Sequence, residues 1–303
     1  MKPQPSKPNS EHVLKALKDF QRRTVDHVFQ RMYLDSDLTR RFLVADEVGL
    51  GKTLVARGLI AKVVDHLWDR VDRIDVVYIC SNADIARQNI ARLYIADKHD
   101  FTPPSRLTLL PLHLHGLKDG RRLNFVAFTP GTSFDLKSRR GTGWERALLL
   151  RALRGHWNLS GRAPCNVFSI GMMNPENFIS RCNEMNNESV EEDVIAAFQV
   201  RLDKQERADK SAGLPGLRQR FEKLCGVFCR SDARPAQVDI EERNRVLGDL
   251  RMQMALTCLD WLQPDLIIMD EFQRFKHLLQ RDAVRGQAVG LDERLILLHQ
   301  PAK

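Results

Sequence analysis

The sequence predicts an α/β fold with a parallel sheet, interrupted by a mainly helical insertion. Three observations carry this expectation. Short apolar runs alternate with amphipathic helical patterns as far as Phe128; the strand-like runs then stop and long charged helical patterns take over; and one apolar run, Leu266-Ile267-Ile268-Met269, returns near the end. Strands that alternate with helices argue for a parallel sheet covered on both faces, whose strands read as continuous apolar stretches.

The elements follow in order. Residues 1–10 are polar and Pro-rich and are expected to be a flexible tail. Residues 11–32 read as helix, because Val13, Leu14, Leu17, Phe20, Val25 and Val28 recur at helical spacing among charged positions. Asp35-Ser36-Asp37 breaks the pattern, and 41–45 is a short buried strand. A glycine-containing loop starts at Asp46, and helical character resumes over 53–64. Residues 75–80 give a second strand and 83–93 a helix, with further strands expected at 106–110 and 124–128. The insertion, 136–262, carries helical patterns at 145–153, 190–205 and 240–262, punctuated by Leu214-Pro215-Gly216 and Arg234-Pro235. The core is therefore expected in two parts, 11–135 and 263–303. Its last strand candidates are 265–269 and Leu295-Ile296-Leu297-Leu298, the latter followed by an atypical His299-Gln300-Pro301.

Two motifs carry chemistry. Asp46-Glu47-Val48-Gly49-Leu50-Gly51-Lys52-Thr53 follows a strand and opens a helix, close to the phosphate-loop pattern G-x-x-x-x-G-K-[ST]. In such a loop the backbone N–H groups of Glu47, Val48, Gly49, Leu50 and Gly51 wrap a phosphate at a helix N-terminus. Lys52 reaches the terminal phosphates, and Thr53 offers its hydroxyl to Mg²⁺. Asp46 departs from the generic pattern, which starts with Gly. The second motif is Asp270-Glu271 at the end of an apolar strand, where ligands bind in open α/β folds. Asp270 is expected to hold Mg²⁺, and Glu271 to orient and deprotonate an attacking water. Together the two motifs point to ATP as cofactor.

Asp46 to Thr53 resembles motif I of superfamily 2 helicases, in particular the Swi/Snf-like branch, where Asp in the first position is usual. Asp270-Glu271-Phe272-Gln273 resembles motif II, the DEAD/DEAH box; the resemblance implies that Gln273 couples the nucleotide to neighbouring motifs. Phe20-Gln21 looks like the Q motif, whose glutamine reads adenine, although Gln21 reads equally well as an ordinary polar helix residue. Ser81-Asn82 through Arg87-Gln88 is similar to motif Ia, and Thr129-Pro130-Gly131-Thr132 to motif Ib. The resemblance implies that Arg87, Gln88, Thr129 and Thr132 contact a nucleic-acid backbone. It implies a RecA-like P-loop NTPase domain, with double-stranded DNA the favoured partner. It implies too that a second RecA-like domain, on another chain or in a longer protein, is needed for movement, because the chain ends at Lys303 without room for one. Weak hydrolysis or none by this chain alone is the expectation.

Composition bounds the rest. Lys and Arg total 47 against 39 Asp and Glu, a formal net charge of +8, compatible with a polyanionic partner. No apolar run spans a bilayer and no signal-peptide core follows the tail, so the chain reads as cytoplasmic without a membrane partner. Six cysteines do not form a disulfide framework pattern, and neither Cys225 with Cys229 nor His113 with His115 completes a zinc set. The insertion's charge runs, Arg139-Arg140 among them, read as solvated faces, and Trp144 and Trp157 as core residues. A competing reading is a nucleotide-gated protein- or DNA-binding module without motor activity. An AAA-type remodeller fits less well, because its acidic strand usually lies much nearer the glycine loop.

Overall fold

The computed structural model describes residues 7–45, 51–80, 83–95, 106–113, 122–128, 140–169, 175–230, 235–270 and 295–299. The chain divides into two compact units. The first comprises Met1–Ser105, Gly116–Gly131 and Leu262–Lys303; the second comprises Arg106–His115 and Thr132–Trp261.

The first unit is α/β. Its strands are β1 (Arg41–Ala45), β2 (Ile74–Ile79), β3 (Leu123–Phe128), β4 (Leu266–Asp270) and β5 (Leu295–His299). They pair in the order β1-β5-β4-β2-β3, and every pair is parallel. All six residues of β2 and all five of β4 are buried, as expected of strands covered on both faces. Alternate positions split between those faces. Ile74, Val76, Tyr78, Phe125, Leu266 and Ile268 join one core with the helices, while Val77, Val126, Ile267 and Met269 are buried outside it.

Among the described residues, four α-helices contribute to that core, α1 (Ser10–Lys15), α2 (Asp19–Phe29), α3 (Lys52–Leu67) and α4 (Ala83–Leu93), together with the π-helical turn Gln30–Leu34 that continues α2. Helix α3 is buried nearly all round, with Ile60, Ala61, Val63 and Val64 fully covered, as suits a helix flanked by others above a sheet. Gly58 permits the closest approach, since a Cβ there would lie 2.7 Å from Leu17 Cδ1 and 3.0 Å from Val25 Cγ2. The helix expected over 11–32 is broken. Lys18 is extended (ψ 156°), and α2 starts afresh with its Gln21 Oε1 accepting the Lys18 N–H at 3.0 Å.

At the amino edge of the sheet a polar clamp replaces apolar packing. Asp75 and Asp265 tie β2 to the start of β4 through Asp75 N–H to Asp265 Oδ2 and Asp265 N–H to the Asp75 carbonyl, both 2.9 Å. Asn124 donates to Asp75 Oδ1 at 2.9 Å, and Arg73 pairs with its other oxygen at 2.7 Å. Burial pushes the Asp75 carboxyl above its ordinary range, against the pull of Arg73.

The second unit is mainly helical: α5 (Gly143–Arg154), α6 (Ala163–Phe168), α7 (Pro175–Asn187), α8 (Glu192–Ser211), α9 (Leu217–Val227) and α10 (Gln237–Leu262), whose last residue begins the first unit's final stretch. Phe168, Phe178, Phe198 and Phe221 are fully buried at its centre, and Trp157 lies 5.5 Å from Phe221, ring to ring. The strand expected at 106–110 is instead a 3-10 helix, Leu107–Leu112, within this unit. A five-residue apolar run does not distinguish strand from buried helix, and Pro111 lacks the N–H an inner strand requires.

Candidate functional site

An all-parallel sheet gathers every strand's carboxyl end on one edge, and the strand register fixes how the two motifs meet there. Asp270 is level with Leu298 of β5, and Leu298 is level with Val44 of β1. Asp270 therefore stands at the height where β1 is about to end, two strand spacings across, or roughly 10 Å. Between β1 and α3 the chain passes through 46–50, outside the described residues, and re-enters them at Gly51.

Gly51 caps α3 with φ +79°, a left-handed conformation that a side chain resists. Space is also short: a Cβ on Gly51 would lie 2.6 Å from Gln21 Nε2. Gln21 is thus placed against the start of α3, and its own burial, 3 % exposed, follows from capping α2 with one amide atom while meeting Gly51 with the other. Lys52, first residue of α3, is buried at 8 % exposure, and Thr53 next to it is half-buried. Three of the residues predicted for nucleotide, Gln21, Gly51 and Lys52, are therefore neighbours at a helix N-terminus, where the helix dipole favours an anion.

Asp270 is held by a buried network. Tyr78 Oη donates to Asp270 Oδ2 at 2.7 Å; Asn89 Nδ2 donates to Tyr78 Oη at 2.9 Å and reaches Asp270 Oδ2 at 3.3 Å. Burial, and then the charge of Asp270, push the Tyr78 phenol far above its ordinary value, so it remains a donor throughout the accessible pH range. A carboxylate fixed by two donors keeps one orientation, the condition for holding a cation at a set place.

Asn89 belongs to α4, the helix that follows β2. Gln88, expected at a nucleic-acid backbone, is exposed on the same helix one residue earlier, and Arg87 lies on its backbone path. The network thus ties the helix proposed to meet nucleic acid to the carboxylate proposed to meet Mg²⁺. Sequence reasoning missed Tyr78 and Asn89. The available signal was a hydroxyl inside the apolar run Asp75-Val76-Val77-Tyr78-Ile79-Cys80, since a buried Tyr needs a partner. Glu47, Val48, Gly49, Leu50, Glu271, Gln273, Thr129 and Thr132 lie outside the described residues; Glu271 directly follows Asp270, and Thr129 directly follows β3.

Among the described residues no helix is long and apolar enough to cross a membrane. Comparison of the chain with protein-family models, with curated proteins and with solved structures finds no match.

Proposed function

We propose that the first unit is the N-terminal RecA-like ATPase domain of a superfamily 2 DNA helicase or translocase of Swi/Snf-like type, working with a second RecA-like domain supplied elsewhere. The observation that carries this reading is the sheet edge. The strand that leads to the glycine loop and the strand that ends in Asp270 are parallel, level with one another, and separated by a single strand. A phosphate chain seated at the N-terminus of α3 would then reach from Lys52 towards Asp270 across that gap.

The residues fit Mg²⁺-ATP. Gly51 leaves the close approach open, Lys52 would bind the β- and γ-phosphates, and Thr53 and Asp270 would hold Mg²⁺, which supplies charge neutralisation during phosphoryl transfer. Gln21, whose amide caps α2 and lies against Gly51, would take the adenine-reading role in this proposal. Glu271 would orient and deprotonate the water, and Gln273 would link this strand end to neighbouring motifs. Duplex DNA, contacted by Arg87, Gln88, Thr129 and Thr132 past the ends of β2 and β3, is the proposed track. The proposed setting is the cytoplasm.

ATP hydrolysis by the purified chain, with and without double-stranded DNA, tests the reading. The expected result is weak turnover that rises with DNA, is lost in Lys52→Ala, and is lost with ATP still bound in Glu271→Gln. Turnover that survives in Lys52→Ala would remove the glycine loop from catalysis. Nucleotide binding indifferent to DNA would favour a nucleotide-gated module over a motor domain.

A further inference from the structure

An amide on the core face of a helix costs stability unless the fold supplies its partners. Helix α4 carries one. Among its described side chains, Asn89, Ile90 and Leu93 are buried, while Gln88, Ala91 and Arg92 are exposed. The inward stripe has helical spacing, and Ile90 and Leu93 join the core of the first unit. Asn89 instead meets the Tyr78 hydroxyl and the Asp270 carboxylate. It presents Nδ2 to both, because its amide oxygen would otherwise face a carboxylate. Gln88 and Arg92, one helical turn apart, share the outward face.

The two contacts of the amide differ in their tolerance of movement. Asn89 Nδ2 lies 2.9 Å from Tyr78 Oη, within the ordinary range, and 3.3 Å from Asp270 Oδ2, just past it. A shift of α4 by about 0.3 Å along that line therefore makes or breaks the second contact, while the first survives. Tyr78 is held to Asp270 differently. It stands on β2, which pairs with β4 from Val76 opposite Leu266 to Ile79 opposite Met269, and its 2.7 Å bond to Asp270 Oδ2 joins two strands fixed to one another. Whether Asn89 also donates to Asp270 is set by the place of α4.

We propose that Asn89 is a positioning residue through which α4 sets the affinity of Asp270 for Mg²⁺, so that a nucleic-acid backbone held on the outward face of α4 regulates nucleotide binding. The proposal rests on the nucleotide reading of the first unit and names the residue that makes the site responsive. Donation from Asn89 helps keep the carboxylate in the orientation that receives the cation, and its loss lets the carboxylate turn. A phosphate engaging Gln88 and Arg92 pulls on the helical turn that carries Asn89. The effect is reciprocal: the factor by which nucleic acid tightens Mg²⁺-ATP is the factor by which Mg²⁺-ATP tightens nucleic acid.

The test titrates Mg²⁺-ATP into the parent chain and into Asn89→Leu, which has similar volume and no donor. Each titration is run with and without a saturating short DNA duplex, at fixed ionic strength, and repeated with ATP in EDTA. In the parent the duplex is expected to tighten Mg²⁺-ATP at least about fivefold, and to leave ATP in EDTA unaffected. In Asn89→Leu the tightening is lost, and Mg²⁺-ATP binds alike with and without duplex. A purely structural Asn89 would weaken binding in both conditions and preserve the tightening, which overturns the proposal. So does a duplex without effect on the parent, or one that tightens ATP equally in EDTA; the nucleotide site itself survives those results. Failure of the folded parent to bind Mg²⁺-ATP removes the nucleotide reading and this proposal with it. Should Asn89→Leu fail to fold, Asn89→Ser, with its shorter side chain, is expected to show the same loss of tightening.

Discussion

At the scale of single residues, the account turns on Asp270 and the two side chains that hold it. Tyr78 is the sole phenol in β2 and donates to Asp270 at 2.7 Å, with Asn89 behind it. Tyr78→Phe deletes the donor and leaves Asn89 with only the longer contact. Urea unfolding of this variant is expected to show a loss of about 1–3 kcal/mol, the cost of leaving buried polar groups short of a partner. If Asp270 holds Mg²⁺ as proposed, the Mg²⁺ concentration needed for half-maximal ATP turnover should rise in the same variant. An unchanged Mg²⁺ requirement would make the network purely structural. The places of Lys52 at a helix start and of Asp270 at a strand end were legible in the sequence, because a glycine loop before a helix and acids after an apolar strand are local patterns. Tyr78 and Asn89 were not, because their partnership with Asp270 is made by the pairing of β2 with β4 and the return of α4 over them, which no local pattern records.

At the scale of elements, the start of α5 depends on Glu145. Its side chain is fully buried. Thr142 and Glu145 form a reciprocal capping box, with Thr142 N–H to Glu145 Oε2 at 2.6 Å and Glu145 N–H to Thr142 Oγ1 at 3.2 Å. The same carboxylate accepts from Thr108 at 2.6 Å, from Arg251 Nε at 3.1 Å, and pairs with Arg106 at 3.2 Å. One acid therefore joins the 3-10 helix, α5 and α10. Burial would raise its pKa, but Arg251, Thr108, the Thr142 amide and Arg106 outweigh it and hold the carboxyl below its ordinary value of 4.5. The stability it contributes is thus complete above 4.5 and is lost as the pH falls through the lower folded value. Glu145→Gln should cost about 3–5 kcal/mol, because Arg251 is left charged and buried, and should flatten the acid limb of the stability profile. A loss below about 1 kcal/mol in chemical denaturation would contradict this assignment. Elements were readable where period and context agreed: 83–93 is α4 as expected, and the apolar run at Leu295 forms β5. Leucines at 107, 109 and 110 misled, because in so short a run only Pro111 distinguishes a turn of helix from a strand. The break at Lys18 was hidden because the apolar spacing continues through it.

At the scale of the molecule, the all-parallel order β1-β5-β4-β2-β3 gathers the carboxyl ends of the first unit's strands on a single edge. The motifs that follow β1 and β4, far apart in sequence, leave the sheet on that edge with one strand between them, since each follows a strand running the same way. The sheet's existence was legible from alternating runs; its order was not, because nothing local to residues 41–45 or 295–299 says that they pair. The central claim is that this edge takes Mg²⁺-ATP at Gly51, Lys52 and Asp270. Calorimetric titration of Mg²⁺-ATP into the parent chain and into Lys52→Ala tests it most directly. The account predicts one site in the parent and loss of binding, or weakening by at least about a hundredfold, in the variant, as expected for removing a buried cation from a phosphate site. Equal binding by both proteins, or none by the folded parent, would contradict it.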